Sequence, residues 1–309
     1  MSAAAFSSAS PDWDRWLSVL SNLHYDPASG VAPHKPLLIL VVCDLVEEGR
    51  LTGAILHRNG DLAFRFSSYW RIVAERRRTK PEVRLPFFHL RTEGVWKPLE
   101  ADGRTSEDRN RAVLAQMDVS FLICLSDPDF RALARRTLIA KYFEPQERAE
   151  LYSLVGLEVP PEDIVAADAT RFPRSKESEA KRDAKFSVRV LPAYDYTCAL
   201  TRYRMIAIDG TTPLDAAHIR QFKKGGSNHP TNGLALSKSA HWLFDHGFWS
   251  ITRDLRVIVA GHRFEEAGED AYLLKKLAGR ELLRPANPHF LPDPTCLDWH
   301  RRYHKFDTT

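Results

Sequence analysis

The segment from Thr211 to Asp245 constrains the fold of this chain most strongly, because polar side chains stand at the ends of short apolar elements there. A Gly-Thr-Thr-Pro turn leads into a predicted strand that carries His218 near its end. Residues 223–228 predict a turn-rich loop, and Asn232 before Gly233 predicts a second sharp bend. Residues 237–244 then predict a short helix. The segment is therefore expected to form a compact strand–loop–helix unit.

The side chains of this unit suit hydrolysis of a phosphodiester. A neutral histidine such as His218 can take a proton from water, and a divalent cation can neutralise the phosphoryl oxygens. His241 and Asp245 are four residues apart, so they lie on one helix face and can share a cation. Each residue alone has a plainer interpretation: a hydrogen-bonded histidine, a turn asparagine, or an ordinary polar pair on a helix. Their order together favours a nuclease.

Three sequence blocks in this region resemble the HNH nuclease motif, a β-hairpin and a helix around one metal ion. They read Asp215-Ala-Ala-His218-Ile, Asn232-Gly-Leu-Ala-Leu and His241-Trp-Leu-Phe-Asp245. The resemblance implies that His218 is the general base, that Asn232 braces the loop, and that His241 binds the metal with Asp245 as second ligand. Many relatives carry another ligand just before the base. Ala217 stands there in this chain, and Asp215 is the nearest acidic substitute.

The implied cofactor is a divalent ion: Mg²⁺, Mn²⁺ or another transition metal. In the same picture Lys223 and Lys224 face DNA phosphates. A structural zinc knuckle is not expected, because Cys198 is the only cysteine in this region.

The composition of the chain is that of a globular protein without a membrane span. Its 309 residues suffice for two domains, and 44% are hydrophobic and 27% charged. The longest apolar run, from Pro36 to Cys43, is too short to cross a bilayer. Residues 1–10 lack the basic start and apolar core of a signal peptide, and the four cysteines are widely separated. We therefore expect a cytoplasmic protein.

Positive charge is concentrated between Arg71 and Arg91, although the formal net charge is only +4. Seven Lys or Arg stand against two Glu in this range, interleaved with aromatic side chains. A surface that follows a phosphate backbone has this character. Taken alone, however, this cluster would favour the alternative interpretation, an ordinary solvated helix face.

The first 157 residues are expected to form a mainly helical domain. Helices are predicted from Asp12 to Leu23 and from Lys35 to Glu48, the second of them in the core. Residues 86–96 predict a bend and a short hairpin. Residues 109–125 predict a helix, and Asp127 caps a further helix that extends toward Tyr142.

This first domain resembles the sulfur-binding domain of McrA-like restriction endonucleases, which precedes an HNH domain in the same order. The resemblance rests on His34-Lys35-Pro36-Leu-Leu, on Phe64 and Tyr69, and on Leu85-Pro86-Phe-Phe-His89-Leu with Gly94 and Trp96. Those proteins recognise DNA in which sulfur replaces a nonbridging phosphate oxygen. Sulfur is less strongly hydrated than oxygen, so an apolar cup penalises it less. Relatives often have an aromatic residue where Leu85 stands and a small one where His89 stands.

The resemblance implies a cup around the Pro86 ring, with cations holding the remaining phosphate oxygens. The candidate DNA- and sulfur-binding residues are His34, Lys35, Arg84, Leu85, Pro86, His89, Arg109 and Arg111.

The predicted fold class is α+β: a helical N-terminal DNA-reading domain with a small hairpin, linked to a C-terminal ββα-metal nuclease domain. The predicted boundaries are 1–157 for the reader, 158–185 for a polar linker or exposed helical connector, and 186–309 for the HNH domain.

The sequence thus predicts a modification-dependent, type IV restriction endonuclease that cuts phosphorothioated double-stranded DNA. Cutting both strands requires two active sites, so a homodimer is expected. Two alternatives stay open: an HNH endonuclease that depends on methylated or otherwise modified bases, and a non-catalytic DNA-binding protein with a decayed metal site.

Overall fold

The computed structural model describes residues 11–24, 33–73, 81–169, 176–270 and 273–306. The chain divides into two compact units, Met1–Ser175 and Lys176–Thr309, and each is described by itself. The range 158–185, predicted as a linker, contains one complete helix and the first part of another. None of the helices in the described ranges is long and apolar enough to span a lipid bilayer.

The first unit consists of eight helices and three short strands within its described residues. The helices are α1 Pro11–Ser21, α2 His34–Glu47, α3 Gly60–Val73, α4 Arg84–His89, α5 Val119–Ser126, α6 Pro128–Tyr142, α7 Pro145–Leu154 and α8 Pro161–Ala169. The strands are β1 Ile55–His57, β2 Trp96–Leu99 and β3 Leu114–Met117. They form one antiparallel sheet in the order β1-β3-β2.

Helix α2 forms the centre of the first unit. Residues 36–43 are all buried, and the helix packs against α3 and α6. This confirms the core helix predicted from the apolar run. The predicted cap at Asp127 is also confirmed, because its side chain accepts the backbone N–H of Asp129 at 2.8 Å at the start of α6.

Two predictions in the first unit are wrong. Residues 86–96 form no hairpin: α4 is followed by a 3₁₀ turn, Leu90–Glu93, and Gly94 ends that turn with φ of 71°. The helix predicted from residue 109 begins only at Val119, because Leu114–Met117 is the central strand of the sheet. The second error arises because β3 pairs with β1, which is distant in sequence, as well as with β2.

The second unit is built around a hairpin and a helix. Its elements are α9 Lys176–Ala193, β4 Leu214–His218, β5 Gly233–Ser237, α10 Lys238–Asp245, β6 Trp249–Ile251, β7 Val257–Val259 and α11 Pro294–Tyr303. β4 and β5 are antiparallel, with His218 opposite Gly233, and α10 follows β5 directly. This confirms the strand, bend and helix predicted between residues 211 and 245. The α+β fold class is confirmed as well.

Candidate functional site

His218 is the last residue of β4, and its imidazole is held on two sides. One face stacks on the Phe186 ring of α9, with centroids 3.9 Å apart and planes inclined by 6°. Its Nε2 lies 2.9 Å from Oδ1 of Asn228, which fits an N–H on Nε2 and leaves Nδ1 as the basic nitrogen. Burial lowers the pKa of His218, although the Asn228 hydrogen bond opposes that shift. The histidine is therefore neutral around pH 7, as a general base must be.

The glycine opposite His218 makes room for this stack. A Cβ on Gly233 would come within 2.6 Å of Val190 Cγ2 and 2.8 Å of Phe186 Cζ. A side chain here would displace the Val190 and Phe186 side chains of α9. Gly233 thus allows the close approach that places the Phe186 ring against His218.

Asn232 is completely buried and ties together the loop that follows His218. Its Oδ1 accepts the backbone N–H of Arg220 at 2.8 Å, and its Nδ2 donates to the carbonyls of Arg220 at 3.0 Å and Ser227 at 2.8 Å. The same loop includes Asn228. Asn232 therefore fixes both the exit of β4 and the residue that orients His218.

Gly226 is required by the same loop. A Cβ at this position would lie 1.8 Å from the carbonyl oxygen of Arg220 and 2.9 Å from Nδ2 of Asn232. Only glycine lets residues 220 and 226 approach each other this closely. Gly226, the second glycine of the Gly-Gly pair, is thus required for the close approach to the Arg220 carbonyl.

His241 lies on α10 between two carboxylates. Ser237 caps the helix by accepting the N–H of Ala240 at 3.3 Å, and the helix then places His241 and Asp245 one turn apart. Nε2 of His241 is 3.4 Å from Oδ2 of Asp245, and Nδ1 is 3.3 Å from Oδ2 of Asp215. Burial disfavours the charged ring, but the two carboxylates outweigh it and raise the pKa of His241.

The two imidazoles belong to one site. They are close enough that charge on His241 contributes to lowering the pKa of His218. Asp245 also accepts a hydrogen bond from Nε2 of Gln221, in the loop that Asn232 braces, at 3.3 Å. The predicted catalytic residues His218, Asn232 and His241 are thus linked through the loop of residues 220–232 and α10.

The candidate sulfur-binding residues of the first unit lie around the start of α2 and along α4. The ring of His34 packs against Trp70, with centroids 4.5 Å apart. Lys35 donates from Nζ to Glu93 at 2.5 Å, and the Glu93 carboxylate is only 3% exposed. The charge of Lys35 is therefore already compensated within the unit.

The cup predicted around the Pro86 ring differs from what the structure shows. Pro86 is buried on the inner side of α4, because the helix turns this residue toward the core together with Phe87 and Phe88. Leu85 is half-buried and His89 is exposed. Of Leu85 and Pro86, Leu85 is therefore the more accessible apolar residue.

Cations surround His89 at the end of α4. Burial, followed by the charges of Lys35, Arg91 and Arg109, lowers the pKa of His89. The structure therefore brings together Lys35, His89 and Arg109, three of the candidate DNA- and sulfur-binding residues. Arg109 is exposed and has no carboxylate partner within the described ranges.

The other predicted arginines are exposed but paired. Arg84 donates to Oδ1 of Asn110 at 2.9 Å and pairs with Glu82 at 2.6 Å. Arg111 pairs with Glu100 at 2.6 Å. Four members of the basic cluster (Arg76, Arg77, Arg78 and Lys80) lie outside the described residues.

The comparisons with known proteins agree with the geometry of the second unit. Residues 198–252 match the family described as HNH endonuclease. The second unit contains an HNH endonuclease domain. None of the curated proteins compared with the chain matches it. Among solved structures, a chain described as "Modification dependent TagI restriction endonuclease" is similar, with 24% identity and a TM-score of 0.28. That similarity covers 38% of this chain and 36% of that one, little more than a third of its length.

The donors of the HNH domain fit a divalent cation in part. The 3.4 Å between Nε2 of His241 and Oδ2 of Asp245 suits two ligands on one cation at about 2.0–2.2 Å each. Asp215 lies at Nδ1, and the two ring nitrogens point away from each other, so the three predicted ligands do not converge on one point. No group of three His, Cys, Asp or Glu side chains poised to hold a metal occurs among the described residues.

Two residues of the HNH site were not foreseen from the sequence. Asn228 looked like one more turn residue, and Phe186 stood at the start of the predicted domain without a role. The only available signal for Asn228 was an amide in a Gly-Gly loop between His218 and Asn232. Phe186 gave no signal, because its contact with His218 spans a long stretch of chain.

Proposed function

We propose that this protein is an endonuclease that hydrolyses phosphodiester bonds in modified double-stranded DNA, with phosphorothioated DNA as its substrate. The observation that carries the nuclease half is the site around His218: a half-buried, neutral imidazole with one nitrogen hydrogen-bonded and the other basic. Its place in the matched HNH range supports the assignment of His218 as the general base.

The roles of the other residues follow from their contacts. His218 takes a proton from water at Nδ1, while Asn228 holds its Nε2–H and Asn232 fixes the loop. His241 and Asp245 would hold the divalent cation (Mg²⁺, Mn²⁺ or another transition metal), which supplies charge neutralisation at the phosphoryl oxygens when it is bound. Asp215, at the far nitrogen, orients the His241 ring as outer carboxylates do for metal-binding histidines.

The proposal of phosphorothioate recognition rests on the resemblance of the first unit to sulfur-binding domains and on the charges around α4. Leu85 offers a half-buried apolar contact, and Lys35, His89 and Arg109 lie close to one another. An unpaired phosphate oxygen against Leu85 would cost about 1–3 kcal/mol, whereas sulfur would lose less hydration. Cutting both strands requires two such sites, so a homodimer is part of the proposal.

One experiment tests both halves. The full-length protein and its His218→Ala variant are incubated with Mg²⁺ or Mn²⁺ and three matched duplexes: phosphorothioated, base-methylated and plain. We expect the wild type to cut the phosphorothioated duplex selectively and the variant to cut none.

The other outcomes separate the alternatives. Equal cutting of plain and phosphorothioated DNA would remove the sulfur reader, and preference for the methylated duplex would indicate a base reader. Full activity of His218→Ala would contradict the assignment of the base. Binding without cutting, together with no calorimetric signal for Mg²⁺ or Mn²⁺, would indicate a decayed metal site.

A further inference from the structure

Helix α11 lies beside the loop that follows His218, although it is outside the residues that match the HNH family. The Arg220 guanidinium lies 5.6 Å from the centroid of the Trp299 ring, and Lys224 Nζ lies 5.6 Å from that of Tyr303. Both distances are within the range of cation–π attraction. The two rings are one helical turn apart and stack on each other, with centroids 4.7 Å apart and planes inclined by 13°.

The opposite face of α11 anchors the helix to the HNH core. His300 is 2% exposed, lies 2.8 Å from the Ser250 hydroxyl through Nδ1 and stacks on Phe244 of α10. Arg301 donates to the carbonyl of Ile251 at 2.7 Å. The outward face, which includes Tyr303 at 46% exposure, is therefore held in a fixed position relative to α10.

The cations above this face are also held in position relative to His218. Asn232 binds the backbone of Arg220 through both its N–H and its carbonyl, and Arg220 Nε donates to the carbonyl of Lys224 at 3.0 Å. Arg220 follows the general base by two residues. Any anion bound by Arg220 and Lys224 would thus lie next to the candidate active site.

The charges of this surface have no carboxylate partners among the residues that the structure describes. Within the described part of the chain, Arg220, Lys223, Lys224 and Arg302 take part in no ion pair, and both lysines are exposed. Arg253 and Arg301, in contrast, share Asp298. Uncompensated cations that are fixed beside a nuclease site are suited to a phosphate backbone.

We propose that α11 and residues 220–224 form a docking surface for the phosphate backbone of the duplex DNA that flanks the scissile bond. Trp299 and Tyr303 are positioning residues: their rings hold the Arg220 and Lys224 side chains through cation–π contacts. This inference rests on the proposed nuclease function and extends the substrate surface to α11, which lies beyond the matched HNH range.

The test measures kcat, KM and salt dependence for the full-length protein on a duplex that the wild type cuts. Lys224→Ala is expected to raise KM about three- to tenfold and to reduce the slope of log affinity against log salt by about one. Tyr303→Ala is expected to raise KM about threefold, because Lys224 loses its support. Tyr303→Phe keeps the ring and should restore the wild-type KM. Tyr203→Ala is the matched control, since Tyr203 is 52% exposed and contacts Met205 instead.

Gel shifts of the same duplex with Lys224→Ala and Tyr303→Ala, each in the His218→Ala background, keep the two proposals distinguishable. Wild-type KM, affinity and salt slope in both variants, with cutting intact, would overturn the docking surface and leave the nuclease standing. If no protein cuts DNA, the nuclease fails, and the gel shifts alone decide the surface: weaker binding by both variants supports it and unchanged binding overturns it.

Discussion

His218 depends for its chemistry on two neighbours of different kinds. The Phe186 ring excludes water from one face and so favours the neutral form, while Oδ1 of Asn228 accepts a hydrogen bond from Nε2–H and favours the charged form. Burial is the stronger influence, because the pKa of His218 is lowered overall. The rate of a reaction that needs neutral His218 should therefore fall only when the pH drops through this lowered pKa.

Replacing Asn228 by Asp and by Ala should move the acidic limb of the pH–rate profile in opposite directions. Asn228→Asp places a carboxylate at Nε2, stabilises the charged ring and should move the limb to higher pH. Asn228→Ala removes a contact that raises the pKa, so the limb should move to lower pH. The Asn228→Ala replacement should also lower kcat about tenfold, because the His218 ring loses its orientation. Profiles of kcat for the two variants and the wild type measure these shifts. Limbs that coincide in all three would show that Asn228 does not act on His218.

The sequence indicated those positions of the candidate site that local order sets and missed those that tertiary contact sets. His218, Asn232, His241 and Asp245 stand at spacings that a strand, a bend and one helical turn convert directly into positions. Phe186 reaches His218 only because α9 packs on the hairpin. The buried position of Pro86 likewise depends on the core around α4, and its sequence neighbours did not reveal it.

At the level of whole elements, prediction succeeded where local signals define the element. The Asp127 cap and the Ser237 cap each satisfy the backbone within one turn, so α6 and α10 begin where the sequence indicates. Strand β3 lacks such a signal. Residues Leu114–Met117 become a strand because β1 and β2 supply partners on both edges, and β1 is far away in the chain.

The loop between β4 and β5 should fail when Gly226 acquires a side chain. In Gly226→Ala the Cβ would lie 1.8 Å from the Arg220 carbonyl, so the loop must open and Asn228 must move. A misplacement of about 1 Å at a catalytic group lowers kcat about a hundredfold. Gly261→Ala is the control, because the nearest atom to its Cβ would be Lys275 Cε at 3.5 Å, an ordinary contact. Kinetics of cutting by both variants, with circular dichroism to check folding, provide the measurement. A Gly226→Ala variant that cuts at the wild-type rate would contradict this account of the loop.

Helix α11 should make the second unit sensitive to acid through His300. Burial first, and then the nearby charge of His304, lower the pKa of His300 to about 3. The folded protein thus keeps His300 neutral while the unfolded chain protonates it near pH 6.5. Stability from this group is complete above pH 6.5 and is lost as the pH falls from 6.5 toward 3. At pH 5 the loss is about 2 kcal/mol.

Urea unfolding at pH 7.5 and pH 5 tests this linkage. His300→Phe keeps a ring against Phe244 but leaves the Ser250 hydroxyl without its partner, so it should cost about 1–3 kcal/mol at pH 7.5. The variant should then lose less stability than the wild type on going to pH 5. His289→Ala, at an exposed position, should follow the wild type. If His300→Phe and the wild type lose equal stability between the two pH values, another group controls the acid response.

For the molecule as a whole, the division of the chain differs in detail from the predicted boundaries. The sequence placed a polar linker up to residue 185, whereas the second unit begins at Lys176, the first residue of α9. The first part of α9 is charged, but its later part is apolar and packs in the core, where Ala184, Phe186, Val188 and Val190 are buried. Composition averages over both parts, so it could not reveal that the connector ends inside the nuclease core.

This division leads to an expectation about separate units. Every residue assigned to hydrolysis, including Phe186 from α9, lies after Lys176, and every residue assigned to reading the modification lies before Ser175. A protein that consists of residues 176–309 should therefore fold, bind Mg²⁺ or Mn²⁺ and cut plain and phosphorothioated duplexes equally. It should cut more slowly than the full chain at low DNA concentration, because it lacks the affinity that the first unit provides.

The complementary protein, residues 1–175, should bind the phosphorothioated duplex in gel shifts and cut nothing. Rates of the 176–309 protein on both duplexes, measured beside the full chain, decide the matter. A 176–309 protein that still prefers the phosphorothioated duplex would place the reader in the second unit. The cations around His89 would then have to serve nonspecific DNA binding, and Lys35→Ala would weaken binding to plain and modified duplexes alike.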